Sequence, residues 1–333
     1  MEKDKRISGK RKHPEVTQDN SSLDKHEPNN SQSTDQRSFE EKYNDFIKHH
    51  KEFFEMLSHE NSVMLVKNSP YQAFGNYENY YRLRCSQRWE DPRTKVIRRE
   101  WIHDRKCLDI GCNEGIVTII LAVRYQPKVI VGCDIDYTLI NKAISHLRSL
   151  EKNKTMIEEI GGKDEDTPKS KRRKELLKRL QEMPKSFTIG LSLPFEPEEE
   201  TKNNAWERLI FRQENYIADM DTIERYDTIL CLSTIKWIHL HYGDAGVKAL
   251  FYKVYKTLNK EGIFVFEPQP WKSYKKKKHL DETMKKQYKE IKLTPDKFED
   301  YLVNVIGFKV IERVVPEGVK KGYNSRSILI LKK

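Results

Sequence analysis

A glycine-bearing loop, Gly111 to Gly115, contains the residues that are best suited to chemistry, and it lies between two apolar runs. The run before it, 106–110, is typical of a β-strand, and the run after it, 116–124, is typical of a helix. Glycines at such a turn let backbone N–H groups approach a ligand at the start of a helix. The pattern predicts the strand, turn and helix unit of a nucleotide-binding α/β sheet.

Acidic residues at the ends of two predicted strands narrow the class of ligand. Asp109 lies at the end of the first strand, and Asp134 follows the second strand, 128–133. An acid at the second position can accept hydrogen bonds from both ribose hydroxyls. No third glycine stands where a pyrophosphate would pack, so the spacing fits S-adenosylmethionine (SAM) better than a dinucleotide. The alternative is an ordinary βα turn with a solvated aspartate.

The composition limits the class of protein. The chain has 333 residues with a net charge of +11, and its mean hydropathy is −0.82. A basic excess favours an anionic partner such as nucleic acid, although charge alone is not specific. Five cysteines without a CxxC pair indicate reduced thiols rather than disulfides or a zinc site. Because no apolar run reaches about 18 residues, we expect no membrane helix, and we expect no signal peptide.

Alternating strand-like and helix-like segments predict the fold class. Besides the first two strands, the segments typical of strands are 208–212, 226–232, 262–266, 308–315 and 327–331, and those typical of helices are 39–65, 137–150, 245–258 and 298–305. The alternation predicts an α/β, doubly wound, mostly parallel sheet, and the last two strands predict a terminal antiparallel pair. Residues 1–38 are expected to be a disordered tail, and 151–204 a charged flexible insertion within one domain, 39–333.

Several further segments combine aromatic, proline and basic residues. The stretch 74–84, FGNYENYYRLR, could form a stacking and phosphate-binding lip, or its aromatics could simply pack on the sheet. The stretch 267–271, EPQPW, predicts a stiff loop at the carboxyl end of a strand, which is the ligand edge of an open α/β sheet. Trp271 and Tyr288 could stack on unpaired bases beside the basic residues 275–278 and 285–286, or these residues could form a solvated helix face. The basic run 169–174 fits a nuclear import signal, an RNA-touching arm or a solvated loop.

Seven motifs in this chain are distinctive when taken together. They are FGNYENYYRLR, DPR at 91–93, LDIGCNEG, VGCDID, ENY at 214–216, CLSTIKWIHL at 231–240 and EPQPWKSY at 267–274. The set resembles the Bin3 family of SAM-dependent RNA methyltransferases over about 71–331, less the insertion. The segment KLTPDKF at 292–298 is more similar to the branch that caps a γ-phosphate than to the branch that methylates 5′-monophosphate RNA. The resemblance implies a Rossmann-like methyltransferase fold, SAM as cofactor, and methyl transfer to the 5′-terminal γ-phosphate of a small non-coding RNA.

The resemblance also assigns roles to individual positions. The implied cofactor contacts are Tyr80, Arg93, Gly111, Cys112, Asn113, Asp134, Ile135, Asn215, Tyr216 and Leu232. The implied contacts to the RNA end are Arg84, Lys236 and Arg326. We also place Tyr77, Gln269 and Tyr274 near the site. The expected catalytic residues are therefore Arg84, Lys236 and Tyr77, and the expected RNA contacts are Arg84, Lys236, Gln269, Trp271, Tyr274 and Arg326. A terminal phosphate is largely dianionic at neutral pH because its second pKa is about 6. No general base and no metal are therefore expected, and the protein must hold and align the phosphate.

The resemblance implies partners and a location, and departures from it leave alternatives open. We expect a small non-coding RNA bound by its 5′ end, ribonucleoprotein components such as La-related proteins, a monomer within that complex, and a nuclear location. Phe74 and Thr234-Ile235 replace the family's usual Tyr and Leu-Thr near the substrate. An RNA-binding scaffold with little or no catalysis, the related 5′-monophosphate methyltransferase, and a methyltransferase for a small molecule or protein remain alternatives. His239 and His241 are expected to be structural.

Overall fold

A seven-stranded sheet lies at the centre of the computed structural model, which describes residues 37–64, 74, 80, 91–160, 205–317 and 326–333. The strands are β1 (Lys106–Ile110), β2 (Val129–Asp134), β3 (Leu209–Gln213), β4 (Tyr226–Leu232), β5 (Leu258–Glu267), β6 (Lys309–Val314) and β7 (Ile328–Lys332). Their order is β3-β2-β1-β4-β5-β7-β6. The first five strands pair in parallel, whereas β7 runs antiparallel to both β5 and β6. The predicted doubly wound sheet with a terminal antiparallel pair is confirmed.

Helices cover the sheet. They are α1 (Phe39–His49), α2 (Lys51–Met64), α3 (Arg93–Val96), α4 (Ile116–Tyr125), α5 (Tyr137–Ile160), α6 (Ile235–Thr257), α7 (Trp271–Lys275), α8 (Glu282–Glu290) and α9 (Phe298–Asp300). Short 3₁₀ turns occur at Arg99–Trp101, Ala205–Arg208 and Pro295–Lys297, and a π-helical turn occurs at Tyr301–Ile306. No helix in the described ranges is both long enough and apolar enough to cross a membrane.

The alternation of side chains along β5 divides the core into two clusters. Phe264 and Phe266 face a cluster that includes Phe251 of α6. Val265, between them, faces a second cluster that includes Ile116 and Ile120 of α4. Successive side chains of a strand point to opposite faces, so a strand covered by helices on both sides is apolar at nearly every position. The two clusters therefore hold the sheet between two layers of helices.

The N-terminal helical region differs from the single helix predicted over 39–65. Ser38 caps α1 in a capping box, because the Glu41 N–H donates to Ser38 Oγ and the Ser38 N–H donates back to Glu41 Oε2. The backbone leaves the helical region at His50, with φ −119° and ψ 27°, and α2 follows. The segment therefore forms two helices, and Tyr43 and Phe46 of the first are buried in the core.

Two other helices are longer than the sequence patterns predicted. Helix α6 begins at Ile235 instead of 245, although Gly243 (φ 58°, ψ −156°) interrupts it. Helix α5 continues to Ile160, so the segment predicted as an insertion, 151–204, begins with helical backbone. Residues 161–204 and 1–36 lie outside the described residues, and the predictions of an insertion and of a tail remain predictions there.

The direction of winding reverses between β1 and β4, the two central strands. Strands β2 and β3 follow on one side of β1, and β4 and β5 lie on the other. Loops that leave such a point turn in opposite directions, so a crevice opens at the carboxyl ends of the strands. Ile110, Asp134, Leu232 and Glu267 are the last residues of β1, β2, β4 and β5. The fold thereby places the glycine loop, the acid and the EPQPW loop at one edge.

Candidate active site

A cleft opens at this edge of the sheet, with about 1000 Å³ of empty space when its open mouth is included. Eleven of the residues predicted for the site line it: Tyr80, Gly111, Asn113, Asp134, Ile135, Asn215, Tyr216, Leu232, Lys236, Gln269 and Arg326. Tyr77 and Arg84 lie outside the described residues. Of the aromatic stretch 74–84, the structure describes Phe74 and Tyr80, and both line the cleft. Topology therefore brings residues from widely separated motifs to one place.

The glycine loop uses its N–H groups inside the protein. The N–H groups of Gly111 and Cys112 both donate to the Cys133 carbonyl, at 2.8 and 3.0 Å. The Asn113 N–H donates to Asp134 Oδ2 at 2.9 Å. We expected the glycines to let N–H groups approach a ligand, but these three groups instead tie the end of β1 to the end of β2. The loop therefore contributes to the shape of the cleft, and these three N–H groups are used within the protein instead of donating to a ligand.

Gly111 is needed because Thr234 packs against it. The glycine has φ +71°, a left-handed conformation that other L-residues rarely adopt. A Cβ atom at this position would overlap the Thr234 side chain. Thr234 Oγ1 also donates to the Ile110 carbonyl at 3.2 Å. The threonine that departs from the family's usual residue therefore has a defined place, closing the start of α6 over the glycine loop.

Asp134 presents a carboxylate to the cleft from the end of β2. Its Oδ2 accepts from the Asn113 N–H and its Oδ1 accepts from the Asp136 N–H at 3.0 Å. Burial raises the pKa of Asp134 to about 6, although these two backbone donors act in the opposite direction. Each carboxylate oxygen can accept a second hydrogen bond. The group can therefore receive two hydroxyl donors, as a ribose diol requires.

A lysine that the sequence analysis did not identify, Lys253, fixes the part of the cleft wall formed by Tyr216. Tyr216 lines the cleft, and its hydroxyl is 2.8 Å from Thr257 Oγ1. Lys253 is 1% exposed, donates to the Tyr216 carbonyl, and has its Nζ 4.3 Å from the centroid of the Tyr216 ring. The neighbouring Asn215 donates through Nδ2 to the Tyr242 hydroxyl at 3.5 Å. Only the tertiary structure reveals this support.

Arg93, a predicted cofactor contact, lies below the cleft and not in its lining. Its guanidinium binds both carboxylate oxygens of Asp91, at 2.9 and 2.7 Å, and its Nη1 is 3.3 Å from Glu267 Oε2. Burial alone would lower the pKa of Arg93, but Asp91 and Glu267 raise it well above its ordinary value. Its Cζ is 5.8 Å from the Tyr80 ring centroid. The structure therefore gives Arg93 the role of a buried ion-pair centre beneath the floor.

Cys112, another predicted cofactor contact, also fails to line the cleft. Its side chain is 2% exposed and packs against the backbone of β2 at Gly132. Burial raises the pKa of the Cys112 thiol well above its ordinary value, so the thiol is neutral. The backbone of Cys112 holds the loop, because its N–H donates to the Cys133 carbonyl and its carbonyl accepts from the Gly115 N–H at 3.0 Å.

Two cations occupy the other end of the cleft. Lys236 is 7% exposed, and its Nζ is 4.6 Å from the centroid of the Trp237 ring. Burial, together with the charges of Arg326 and Lys277, lowers the pKa of Lys236 to about 7. Among the described residues, no carboxylate lies within ion-pair distance of Lys236. This end of the cleft is therefore suited to an anion.

Gln269 and Ser233 hold the cationic end in place. Gln269 Nε2 donates to the Ser233 carbonyl, and Gln269 Oε1 accepts from the Lys236 N–H at 3.1 Å. Arg326 Nη1 donates to Ser233 Oγ at 3.0 Å. Gln269 was predicted to contact RNA and does line the cleft. Ser233 was given no role, although a position directly after a central strand is where a ligand-edge residue is expected.

Tyr274 cannot contact RNA as predicted, because it is fully buried. Its exposure is 0%, and its hydroxyl is 3.4 Å from His239 Nδ1. Trp271, also predicted to contact RNA, is absent from the cleft lining and stacks on Tyr288, with ring centroids 4.7 Å apart and an interplanar angle of 7°. The two rings cover one face of each other, so those faces do not stack on unpaired bases. These aromatics instead pack α7 and α8 onto α6.

His239, within the CLSTIKWIHL segment, and His241, the residue after that segment, have different surroundings. His239 is fully buried, and its Nε2 is 3.0 Å from Asp244 Oδ1. Burial lowers the pKa of His239, against the effect of Asp244. His241 lines the cleft and stacks on Phe74, with ring centroids 4.6 Å apart. His239 is therefore a packing residue, whereas His241 and Phe74 form part of the cleft wall.

Comparison with known proteins identifies the family. The family model of Bicoid-interacting protein 3 (Bin3) matches residues 226–333. A probable RNA methyltransferase of Arabidopsis thaliana is 39% identical over 273 residues, which are 80% of this chain and 82% of that protein. The chain belongs to the Bin3 family. The resemblance and the Rossmann-like methyltransferase fold predicted from the motifs are confirmed.

Two further relatives of this Bin3 chain are named as capping enzymes. The 7SK snRNA methylphosphate capping enzyme of Homo sapiens is 36% identical over 75% of this chain, which spans 38% of that protein. The U6 snRNA methylphosphate capping enzyme Amus of Drosophila melanogaster is 31% identical over 75% of this chain and 71% of that protein. The chain thus spans less than half of the human relative. The Bin3 match, from β4 to the C-terminus, includes Lys236, Gln269 and Arg326.

Proposed function

We propose that this protein is a SAM-dependent RNA methyltransferase that methylates the 5′-terminal γ-phosphate of a small nuclear RNA. The observation that carries the proposal is the polarity of one cleft. Asp134 ends β2, on one side of β1, whereas Lys236 follows β4 and Arg326 precedes β7 on the other side. Leu232 ends β4, and all four residues line the cleft. Two relatives that are named as snRNA methylphosphate capping enzymes support the same substrate class.

The adenosine end of the cleft fits SAM. Asp134 can accept two hydroxyl donors, Asn215 and Tyr216 line the wall beside it, and Ile135 adds apolar surface. No lysine or arginine lines this end, where a pyrophosphate would need one, within the described part of the chain. When bound, SAM supplies a methyl group made electrophilic by its sulfonium. We assign Tyr80, Gly111 and Asn113 to the remainder of the cofactor surface, and Leu232 to the region of the sulfonium.

The cationic end fits a terminal phosphate. The phosphate is largely a dianion at neutral pH, so its oxygen is already a nucleophile and the protein need not remove a proton. Arg326 can grip two phosphate oxygens, whereas Lys236 acts as a point charge. An anion beside Lys236 raises its pKa again, so the lysine becomes fully charged when the phosphate enters. The chain's contribution to the reaction is therefore alignment and charge, and we place Tyr77 and Arg84 in the same role.

A transfer assay with three RNA ends tests the proposal. The same short RNA is prepared with a 5′ triphosphate, monophosphate or hydroxyl and incubated with methyl-labelled SAM. We expect label on the triphosphate RNA alone. Label on the monophosphate RNA would instead assign the protein to the other branch of the family. No label on any RNA, with SAM and RNA binding intact, would leave an RNA-binding scaffold.

Lys236→Met provides the matched test of the cationic end. We expect kcat/KM for the triphosphate RNA to fall on the order of 10- to 100-fold, because a preorganised charge beside the reacting group is lost. Lys309→Met is the control, since Lys309 is an exposed lysine on the edge strand β6. Equal losses in both variants would point to general charge attraction and would contradict a specific phosphate contact.

The partners and the location follow the same proposal. A protein that acts on a small nuclear RNA must meet it in the nucleus or in a ribonucleoprotein, and La-related proteins are the partners that the family resemblance implies. Imaging of a fluorescent fusion should show nuclear signal, and purification of the tagged protein should recover small RNA with such components. Size-exclusion chromatography with light scattering should report a monomer for the isolated protein. A cytoplasmic signal in cells that contain the target RNA would contradict the location.

A further inference from the structure

Ser233 lies where the two ends of the cleft meet. It is the first residue after β4, is 8% exposed, and lines the cleft between Leu232 and Thr234. Its φ is +64°, in the left-handed region that serine seldom adopts. Non-glycine residues in this conformation persist where the surroundings fix them, and they concentrate at functional sites. The contacts of Ser233 therefore need an explanation.

Every backbone and side-chain polar group of Ser233 has a partner from another motif. Its N–H donates to the Glu267 carbonyl at 3.0 Å, and its carbonyl accepts from Gln269 Nε2. Its hydroxyl donates to Glu267 Oε2 and accepts from Arg326 Nη1 at 3.0 Å. A hydroxyl can donate and accept at once, which neither alanine nor glycine can do. The serine thus joins β4 to the EPQPW loop and to the start of β7.

Glu267 extends this connection to the floor of the cleft. The carboxylate is fully buried, and its Oε2 also accepts from Arg93 Nη1 at 3.3 Å. Arg93 in turn binds Asp91 through two hydrogen bonds. A buried ion pair has little freedom to move, because each partner left alone would be a desolvated charge. The Ser233 hydroxyl therefore donates to a carboxylate that is itself fixed in a buried ion pair, and it accepts from the Arg326 guanidinium.

We propose that Ser233 is a positioning residue whose hydroxyl fixes Arg326 in the geometry that receives the RNA 5′ phosphate. Its backbone carbonyl also holds Gln269 at the start of α6, a contact that any residue at this position would keep. The inference rests on the proposed function and adds the residue that orients Arg326. Ser233 itself need not touch the phosphate. Its removal leaves both cations in the chain but releases the bond that orients Arg326.

A double-mutant cycle separates positioning from general damage. Ser233→Ala should lower kcat/KM for the triphosphate RNA on the order of 10- to 100-fold, because a misplacement of about 1 Å can cost ~100-fold. Arg326→Gln should give a loss of similar size. If the serine acts through Arg326, Ser233→Ala should add little in the Arg326→Gln background. Full additivity of the two losses would overturn the proposal.

Further variants distinguish the hydroxyl from the backbone conformation. Ser233→Gly adopts the positive φ without strain but lacks the hydroxyl, so it should behave like Ser233→Ala. Activity close to that of the wild type in Ser233→Gly would instead show that the conformation matters and not the hydroxyl. Ser149→Ala, which alters an exposed serine on α5, is the control and should be unchanged.

Two binding measurements keep this inference apart from the proposed function. The Kd of SAM should stay within about twofold in Ser233→Ala, because Arg326 and Lys236 lie at the other end of the cleft. A loss of SAM affinity as large as the loss of kcat/KM would indicate that the whole cleft is distorted, and would contradict a positioning role. If the wild-type protein transfers no methyl group, the proposed function fails. The cycle is then measured in the ratio of Kd values for 5′-triphosphate and 5′-hydroxyl RNA, which still reports whether Ser233 acts through Arg326.

Discussion

The lowered pKa of Lys236 predicts that recognition of the RNA 5′ end depends on pH. Burial, followed by the charges of Arg326 and Lys277, lowers that pKa to about 7. The free protein therefore loses this cation as the pH rises through 7. A terminal phosphate gains its second negative charge as the pH rises through about 6. Both groups are charged together only near pH 6 to 7, so binding of the phosphorylated end should be tightest there.

The size of the effect follows from the charged fraction of Lys236. With a pKa of about 7, roughly 90% of the free protein carries the cation at pH 6, about half at pH 7 and about 10% at pH 8. If the dianion binds only the charged form, the apparent Kd is the intrinsic Kd divided by that fraction. The Kd should rise about fivefold from pH 7 to 8 and about tenfold in the next unit. A lysine with an ordinary pKa would give no change over this range.

Fluorescence anisotropy with two RNAs measures this dependence. The ratio of Kd values for 5′-triphosphate and 5′-hydroxyl RNA isolates the terminal phosphate, and ionic strength is held constant because phosphate contacts depend strongly on salt. Lys236→Arg should remove the slope above pH 7, since arginine stays charged. His241 lines the same cleft and serves as the control, so His241→Gln should retain the slope. A constant ratio to pH 9 in the wild type, or a slope retained in Lys236→Arg, would refute the reasoning.

Three further predictions concern the cofactor end, the floor and the packing of α7. Because burial raises the pKa of Asp134 to about 6, the affinity for SAM measured by calorimetry should fall as the pH drops through 6. The Asp134→Asn variant should bind SAM weakly at every pH. If its SAM affinity depended on pH as in the wild type, the assignment of Asp134 to the cofactor would be contradicted. Arg93→Met leaves the buried Glu267 carboxylate without its partner, so the free energy of unfolding should fall by about 3–5 kcal/mol in chemical denaturation, and a loss below about 1 kcal/mol would show that the pair is replaceable. Tyr274→Phe should leave RNA affinity within about twofold, because the ring is fully buried, and a large selective loss of RNA binding would restore the original assignment of Tyr274 to RNA.

Local signals were sufficient to identify the glycine loop and Asp134, whereas the other predicted cofactor contacts came from the family resemblance. The glycine loop and Asp134 lie next to strands whose apolar runs are short and bounded, so the sequence pattern predicts both the strands and their ends. The first turns of α6 gave no such signal. Ile235, Trp237, His239 and Leu240 are all buried, so this part of the helix has no polar face and its period is hidden.

Position within a motif did not reveal which way a side chain faces. Arg93, Cys112 and Tyr274 belong to the segments that form the site, yet each side chain is buried behind its lining. Lys253 and Ser233 support the site through contacts with residues far away in sequence. Such contacts arise only when the sheet is assembled, and no single-sequence pattern encodes them. The supporting residues were therefore beyond prediction, whereas the edge of the sheet at which the cleft opens was not.

The most direct test of the central claim is to locate the transferred methyl group by mass spectrometry. A small nuclear RNA transcribed with a 5′ triphosphate is incubated with the protein and SAM, digested with nucleases, and its 5′-terminal nucleotide is fragmented. The account predicts that one methyl group is added and that it remains with the γ-phosphate when the phosphates are cleaved. A methyl group found on the ribose, a base or an internal nucleotide would contradict the account. An RNA 5′ end that stays unmodified, although the protein binds both SAM and the RNA, would also contradict the account.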